Sequence, residues 1–549
     1  MRPLIALALI IFTVITTASA QQLDLRTRAE ITNYEETSTY ADVQRVIAGL
    51  VSSSPLVYTE SFGKSEEGRD LPLMVISDPR VTTPEAARKL GRPLVFVQAN
   101  IHAGEVEGKE AVLMLARRLV SGDLKPLTRQ LVILIAPDYN ADGNEKVNVQ
   151  NRTAQYGPAA GVGTRENGKG LDLNRDYMKL DSQEARSLVG LMNKWDPHLL
   201  VDLHTTNGSY HANHLTYSPI LNPNADARLI EFTRERMLAP IRDAMLKNHK
   251  WRTYYYGNFA PDDGGGRESA RVDPASPGNV TWRTFDHRPR FGNNYAGLRN
   301  RIAILSEAYS YLDFKGRVAV TEDFVAEILK SSVVNAKQIM TLTEQADRQF
   351  TAPPTDKPVE LGLDFEIRAL PERVGVFVGD VKKVLNPRSG KEMLAMTDMA
   401  VPVSMKDYGV FAATRSAAMP KGWLIPTNPR LAVAVERLRM HGVTVQEVST
   451  PGQVSVERFR ISDYTRAERV FQGHREARLK SAFEPAQLSV SSGALFVPAD
   501  QPLARLAFYL LEPESDDGLV TWNIIEEGLA AGEAYPIYRV TNTSALRFK

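Results

Sequence analysis

Apolar and polar positions follow two rhythms along this chain. Short apolar runs sit at 92–100 (RPLVFVQAN), 130–137 (QLVILIAP), 198–204 (HLLVDLH) and 301–308 (RIAILSEA). Helically spaced stretches lie between and after them, at 107–120 and 181–195, with a long one at 321–350. Apolar runs of this length predict strands buried on both faces. Their alternation with helices predicts an α/β domain, its central sheet mixed but mostly parallel and flanked by helices. Asp181 stands where an N-cap would open the second helix, and 321–350 reads as one closing helix.

The rhythm breaks at 351–358 (TAPPTDKP), which predicts a linker. Beyond it, 422–448 reads as strand, helix, strand, and 374–379 and 492–498 as further strands. The division is therefore a main domain over 21–350 and a smaller α/β or α+β domain of unassigned role over 359–549.

Composition narrows the picture. Of 549 residues, 43% are hydrophobic, enough for two to four globular units at roughly 150 residues each. The formal net charge is +1 with no block of like charges, so no nucleic-acid partner is indicated. No cysteine is present, which excludes disulfides, thiolate nucleophiles and thiolate metal sites. Any metal must sit on His, Asp or Glu. The first twenty residues begin with Arg2, continue apolar and end in Ala18, Ser19 and Ala20. They read as a secretory signal cut before Gln21, the alternative being an uncleaved anchor. The expectation is export to a periplasm or the extracellular space, with no membrane span left after cleavage.

Polar residues with chemical potential cluster where the strands end, which is where open α/β sheets bind ligands. His102 and Glu105 follow the first strand, Asn140 and Asp142 the second, His204 closes the third, and Glu307 lies near the end of the fourth. Two histidines and a carboxylate can hold zinc and leave one position for water. An H-x-x-E pair alone arises by chance, and a lone strand-end histidine is more often a hydrogen-bonded core residue. Joint placement is what favours a site.

The order of short motifs goes further. FGKSEEGR (62–69), NIHAGE (100–105), NADG (140–143), LDLNRDY (171–177), DLH (202–204) and a late glutamate follow one another. This order resembles the zinc metallocarboxypeptidases of the carboxypeptidase A type, whose landmarks run G-x-S-x-E-G-R, H-x-x-E, N-P-D-G, D-x-N-R, a lone His and a distal Glu. The resemblance covers residues 35 to 345 and suggests a secreted, bacterial-like member with an extra C-terminal domain. It implies one Zn²⁺ on His102, Glu105 and His204, with Glu307 as general base. It also implies that Asn174 and Arg175 hold a peptide's free C-terminal carboxylate, and that Asp172 hydrogen-bonds the first zinc histidine. For the arginine that stabilises the oxyanion, Arg165 is the first choice and Arg152 the rival. Tyr295 stands in for the family's mobile tyrosine, or else is a packing aromatic.

There are departures. Ala141 replaces the family's proline, and Glu307 sits in LSEAYSY, so its assignment rests on order. His211 and His214 read as loop residues on the rim, although they could serve a second metal. The glycine-rich stretch 257–279 reads as a lid or an excursion. His102 comes too early for an inhibitory prosegment, so activity should need no proteolytic release. The function expected is an exported zinc carboxypeptidase. The alternatives are a zinc amidase or deacylase acting on cell-wall peptides or acylated amino acids, and a non-catalytic peptide-binding protein.

Overall fold

The computed structural model describes residues 24–262, 271–351 and 359–549. The stretch expected to be a secretory signal, the centre of the glycine-rich 257–279 stretch and nearly all of 351–358 lie outside the described residues. Among the described residues, ten strands carry the first half: β1 (Val57–Lys64), β2 (Asp70–Ile76), β3 (Leu94–Gln98), β4 (Val132–Ala136), β5 (Leu199–Thr206), β6 (Leu215–Ser218), β7 (Thr253–Tyr255), β8 (Asn258–Pro261), β9 (Val280–Arg283) and β10 (Ile302–Tyr309). Eight of them form one sheet in the order β1-β2-β4-β3-β5-β10-β6-β7. Its centre, β4-β3-β5-β10, is parallel, and antiparallel pairs flank it on both sides. Every residue of β3, β4 and β5 is buried, as expected of strands covered on both faces.

Helices Glu107–Ser121, Gln183–Trp195 and Phe314–Val334 cover this sheet. Two details differ from the sequence expectation. The helix after residue 182 is capped by Ser182, whose hydroxyl accepts the Ala185 N–H at 3.1 Å. Asp181 is drawn away by Lys179 at 3.0 Å and His474 at 2.7 Å. The closing helix is two helices, Phe314–Val334 and Ala336–Thr351. At the break, the Asn335 side chain donates to the Ser331 carbonyl at 2.9 Å, competing with the backbone ladder.

In the second half, a six-stranded antiparallel sheet is packed by helices Ala432–Met440 and Ala504–Leu511, an α+β arrangement. The two halves are interleaved. β8 and β9 form a four-stranded sheet with strands Val374–Val378 and Val401–Tyr408. The main core runs from Val97 and Ile304 through Tyr295 to Trp423, Leu438 and Phe508 without interruption.

Candidate metal centre and cleft

The site is assembled at the C-terminal ends of the parallel strands. After β3, Asn100 takes a left-handed conformation (φ 63°), and its side chain donates to Asp138 at 2.7 Å. That turn releases the chain from the sheet. The Glu105 N–H then bonds back to the His102 carbonyl at 2.9 Å, so both side chains face one side. His204 arrives on β5 and Glu307 on β10, paired with each other in the register of these neighbouring strands. Residues in register on adjacent strands point to the same face of a sheet.

His102 Nδ1, His204 Nδ1 and Glu105 Oε2 converge. His204 Nδ1 lies 3.2 Å from His102 Nδ1 and 3.0 Å from Glu105 Oε2, and His102 Nδ1 lies 3.2 Å from that oxygen. Zinc–nitrogen bonds of about 2.0–2.1 Å at tetrahedral angles place two donors about 3.3 Å apart, so the spacing suits that ion. The far side of each ring fits as well. His102 Nε2 is 2.9 Å from Asp172 Oδ1, and His204 Nε2 is 3.1 Å from Asp202 Oδ2. A carboxylate beside Nε2 keeps the proton there and leaves the Nδ1 lone pair facing the centre. Among the described residues this is the one group of three or more such side chains with metal-holding geometry.

Charge is balanced inside the cluster. Glu105 is buried, which opposes ionisation, but His102 and Arg152 outweigh that and hold its carboxyl well below the usual range. Its Oε1 accepts from Arg152 at 3.0 Å and from Arg165 at 3.4 Å. Asp172 is held far below its ordinary value; His102, Arg165 and Arg175 overcome its burial. Glu307 goes the other way: burial, and then the charge of Glu105, push it up to about 8 against the pull of His204.

These residues open on a cleft of about 220 Å³. Arg152, Arg165, Asn174 and Arg175 line it, together with Glu307 and the aromatic rings of Tyr256, Phe285 and Phe291. The Arg175 guanidinium lies 4.2 Å from the Phe291 ring centroid and donates to the Asn174 carbonyl at 2.8 Å. Asn174 lines the cleft, but its side-chain oxygen already accepts the Gly292 N–H at 3.0 Å. The two arginines weighed for the oxyanion both reach the centre. Arg165 donates to Asp172 Oδ2 at 2.9 Å, and Arg152 is tied to Gln155 and the Thr205 carbonyl.

Several sequence expectations are relocated. Tyr295 is not at the cleft: it is fully buried in helix Gly292–Leu298, and its hydroxyl meets His441 Nδ1 at 2.8 Å. His211 and His214 are not rim residues. His211 is buried with its ring centroid 4.1 Å from that of Tyr309, and His214 packs on Trp251. Asp142 faces away from the chemistry and anchors the 62–69 motif, accepting from Ser65 at 2.6 Å, the Glu67 N–H at 2.9 Å and Arg69 at 2.7 Å. The cleft aromatics Tyr256, Phe285 and Phe291 escaped the sequence reading, because they lie between DLH and the distal glutamate, where no motif marks a position.

The chain is similar to known proteins over part or most of its length. Residues 44–208 match the family model described as zinc carboxypeptidase. Carboxypeptidase 2 of Trichophyton rubrum is 24% identical over 510 residues, which is 89% of this chain and 84% of that protein. Mouse carboxypeptidase Z is 32% identical over 154 residues, 27% of this chain and 22% of its own. Among solved structures, carboxypeptidase A of Helicoverpa armigera covers 55% of this chain and 75% of its own at 15% identity, with a TM-score of 0.39.

Proposed function

We propose that this chain, a metallopeptidase carrying a zinc carboxypeptidase domain, is exported and removes the C-terminal residue of peptides. One observation carries the reading: the convergence of His102, Glu105 and His204 on a cleft that also holds Glu307 and Arg175.

The chain's own residues divide the work. His102, Glu105 and His204 would hold zinc, whose chemistry there is to polarise a carbonyl and make water more acidic. Arg175, set at a fixed angle by Phe291 and the Asn174 carbonyl, takes the substrate's terminal carboxylate, for which a guanidinium fork is suited. Asn174 positions that turn through Gly292 more than it binds substrate. Glu307 accepts a proton from the attacking water and returns it to the leaving nitrogen. Burial and Glu105 push it up to about 8 even against His204, Arg165 and Arg152; a dication in the triad would favour its ionised form. Arg165 and Arg152 are the donors within reach of an oxygen that gains charge. Arg165 keeps the first place because Asp172 fixes its Nε and Glu105 its Nη1, which holds the guanidinium at the cleft it lines. Phe285, Phe291 and Tyr256 exclude water from one wall.

The test is a pair of peptides differing only at the C-terminus, one a free acid and one an amide, each with zinc-loaded protein, with and without chelator. Loss of the last residue from the free acid alone, stopped by chelator, is the expected result. If both peptides survive on a zinc-loaded chain, the carboxypeptidase reading fails. Cleavage of an acylated amino acid in the same tubes would then point to a deacylase. Export is tested separately, by fractionating a host that makes the full chain and sequencing the N-terminus of the mature protein, expected at Gln21.

A further inference from the structure

Asp172 spends its whole carboxylate on the site. Oδ1 meets His102 Nε2 and the Asn174 N–H, each at 2.9 Å, and Oδ2 meets Arg165 at 2.9 Å. Its backbone carbonyl accepts the Arg175 N–H at 3.0 Å, within the same turn, and only its backbone N–H reaches outside the motif. That N–H donates to Gln472 Oε1 at 2.8 Å, from a residue 300 positions further along the chain.

Gln472 is not where chance would place a glutamine. It occupies the tip of a two-residue turn with Gly473, closed by mutual bonds between Phe471 and His474 at 2.7 and 3.0 Å. Both tip residues are left-handed, with φ of 50° at Gln472 and 82° at Gly473. A type I′ turn of this kind favours Asn, Asp or Gly at its first tip position and strains other side chains. An asparagine there would be a methylene shorter, with less reach toward Asp172. A strained residue persists when its surroundings over-determine it, and such outliers gather where geometry matters.

The turn is held from behind. Phe471 stacks on Trp522 with ring centroids 6.2 Å apart, His474 meets Asp181 at 2.7 Å, and the Arg290 guanidinium lies 4.4 Å from the Trp522 ring. The tip therefore reports the position of the second half to the turn that carries Asp172, Asn174 and Arg175.

Building on the zinc-site reading above, we infer that Gln472 is a positioning residue for the metal centre, aligning Asp172 and through it His102. The second half then has a defined role, completing the site's support from outside the main domain.

The experiment follows zinc release from the full-length protein into an excess of chromogenic chelator, alongside the melting temperature. Gln472→Gly removes the acceptor and also the left-handed strain, so its melting temperature should equal or exceed that of the unaltered chain. Its zinc release should nevertheless be about three- to tenfold faster, a fraction of the effect of losing a direct partner of a metal-bound histidine. Gln472→Glu keeps an acceptor oxygen at the same reach and should release zinc within about twofold of the unaltered chain, by the same reasoning. Equal release from Gln472→Gly and the unaltered chain overturns the inference, as does acceleration that merely follows a lower melting temperature. A chain that takes up no zinc overturns both this and the metal reading. A chain that binds zinc, shows the Gln472 effect and cleaves no peptide overturns the peptidase reading alone.

Discussion

Two pairs of histidines lie within a short reach of each other and do different things. His102 and His204 are buried and turn one nitrogen to a common centre; His211 and His214 follow a few residues later on the same side of the sequence. Burial does not separate His204 from His211, both 2% exposed, although His214 is only half-buried. The second nitrogen does. In the first pair it meets Asp172 or Asp202. In the second pair His211 Nδ1 accepts the Asn213 N–H at 3.2 Å and His214 Nδ1 the Arg252 N–H at 3.0 Å, and the rings lie on aromatic neighbours. The two rings whose far nitrogen meets a carboxylate turn the near one to the common centre, and the two that lie on aromatic neighbours do not.

The sharpest way to break this contrast is deletion. His204→Ala should lose zinc and reduce hydrolysis to background, read by metal analysis and rate. His211→Ala should retain zinc while losing about 1–3 kcal/mol of stability in denaturant unfolding, because it removes packed ring area. Glu307→Gln tests the base without touching the ligands: kcat should fall by about 10²–10⁴ with zinc content unchanged.

Next comes the carboxylate itself. Asp172→Asn should weaken zinc binding by about 10–100-fold in a competition assay. Tyr309→Leu, beside His211, should leave zinc affinity where it was.

His204 and His211 should also respond oppositely to acid in chelated protein. Burial pulls the His211 pKa down to about 3, so below the unfolded value of 6.5 the unfolded chain binds a proton that the native ring refuses. Stability from this residue is lost as pH falls through that window, by about 2 kcal/mol at pH 5 from the difference between 6.5 and 5. His204 is raised above its ordinary value, because Asp202, Glu105 and Glu307 outweigh its burial. Its contribution is fully present below pH 6.5 and is lost as pH rises through its folded pKa. Relative to the unaltered chain at each pH, His211→Gln should gain stability on acidification and His204→Gln should lose it, read by urea unfolding. Parallel curves for the two variants would sink the distinction.

The smallest effect concerns Tyr295. Tyr295→Phe removes the bond to His441 and should cost about 1 kcal/mol with KM unchanged.

The sequence displayed the centre better than its surroundings. His102, Glu105, His204 and Glu307 each stand at the end of an apolar run, so strand counting alone brought them to one edge of the sheet. Asp172 and Asn174 were recognisable as a motif, yet the direction of the Asn174 amide was set by Gly292, 118 positions away. Tyr295 was misplaced for a like reason. Seven residues of one helix are all buried, so no amphipathic pattern shows which side faces the cleft and which the second half. His211 and His214 followed a polar run and read as loop, whereas β-bridging to Val378 draws His211 into the core. The linker reading of 351–358 gave no hint that strands on either side of it pair, because hydrogen-bonding partners leave no mark in local periodicity.

That pairing has a consequence for how the protein comes into being. β9 leads into Phe285 on the cleft wall, and its parallel neighbour, Val401–Tyr408, is made more than a hundred residues later, as the register of Thr281 with Lys406 shows. Contacts of such separation form late, after long loops have closed. A nascent chain carrying the three ligand residues but not yet the later strand has an unfinished cleft. Assembly of this wall of the cleft therefore waits on a strand from the last third of the chain, so the order of synthesis sets the order in which the site is finished.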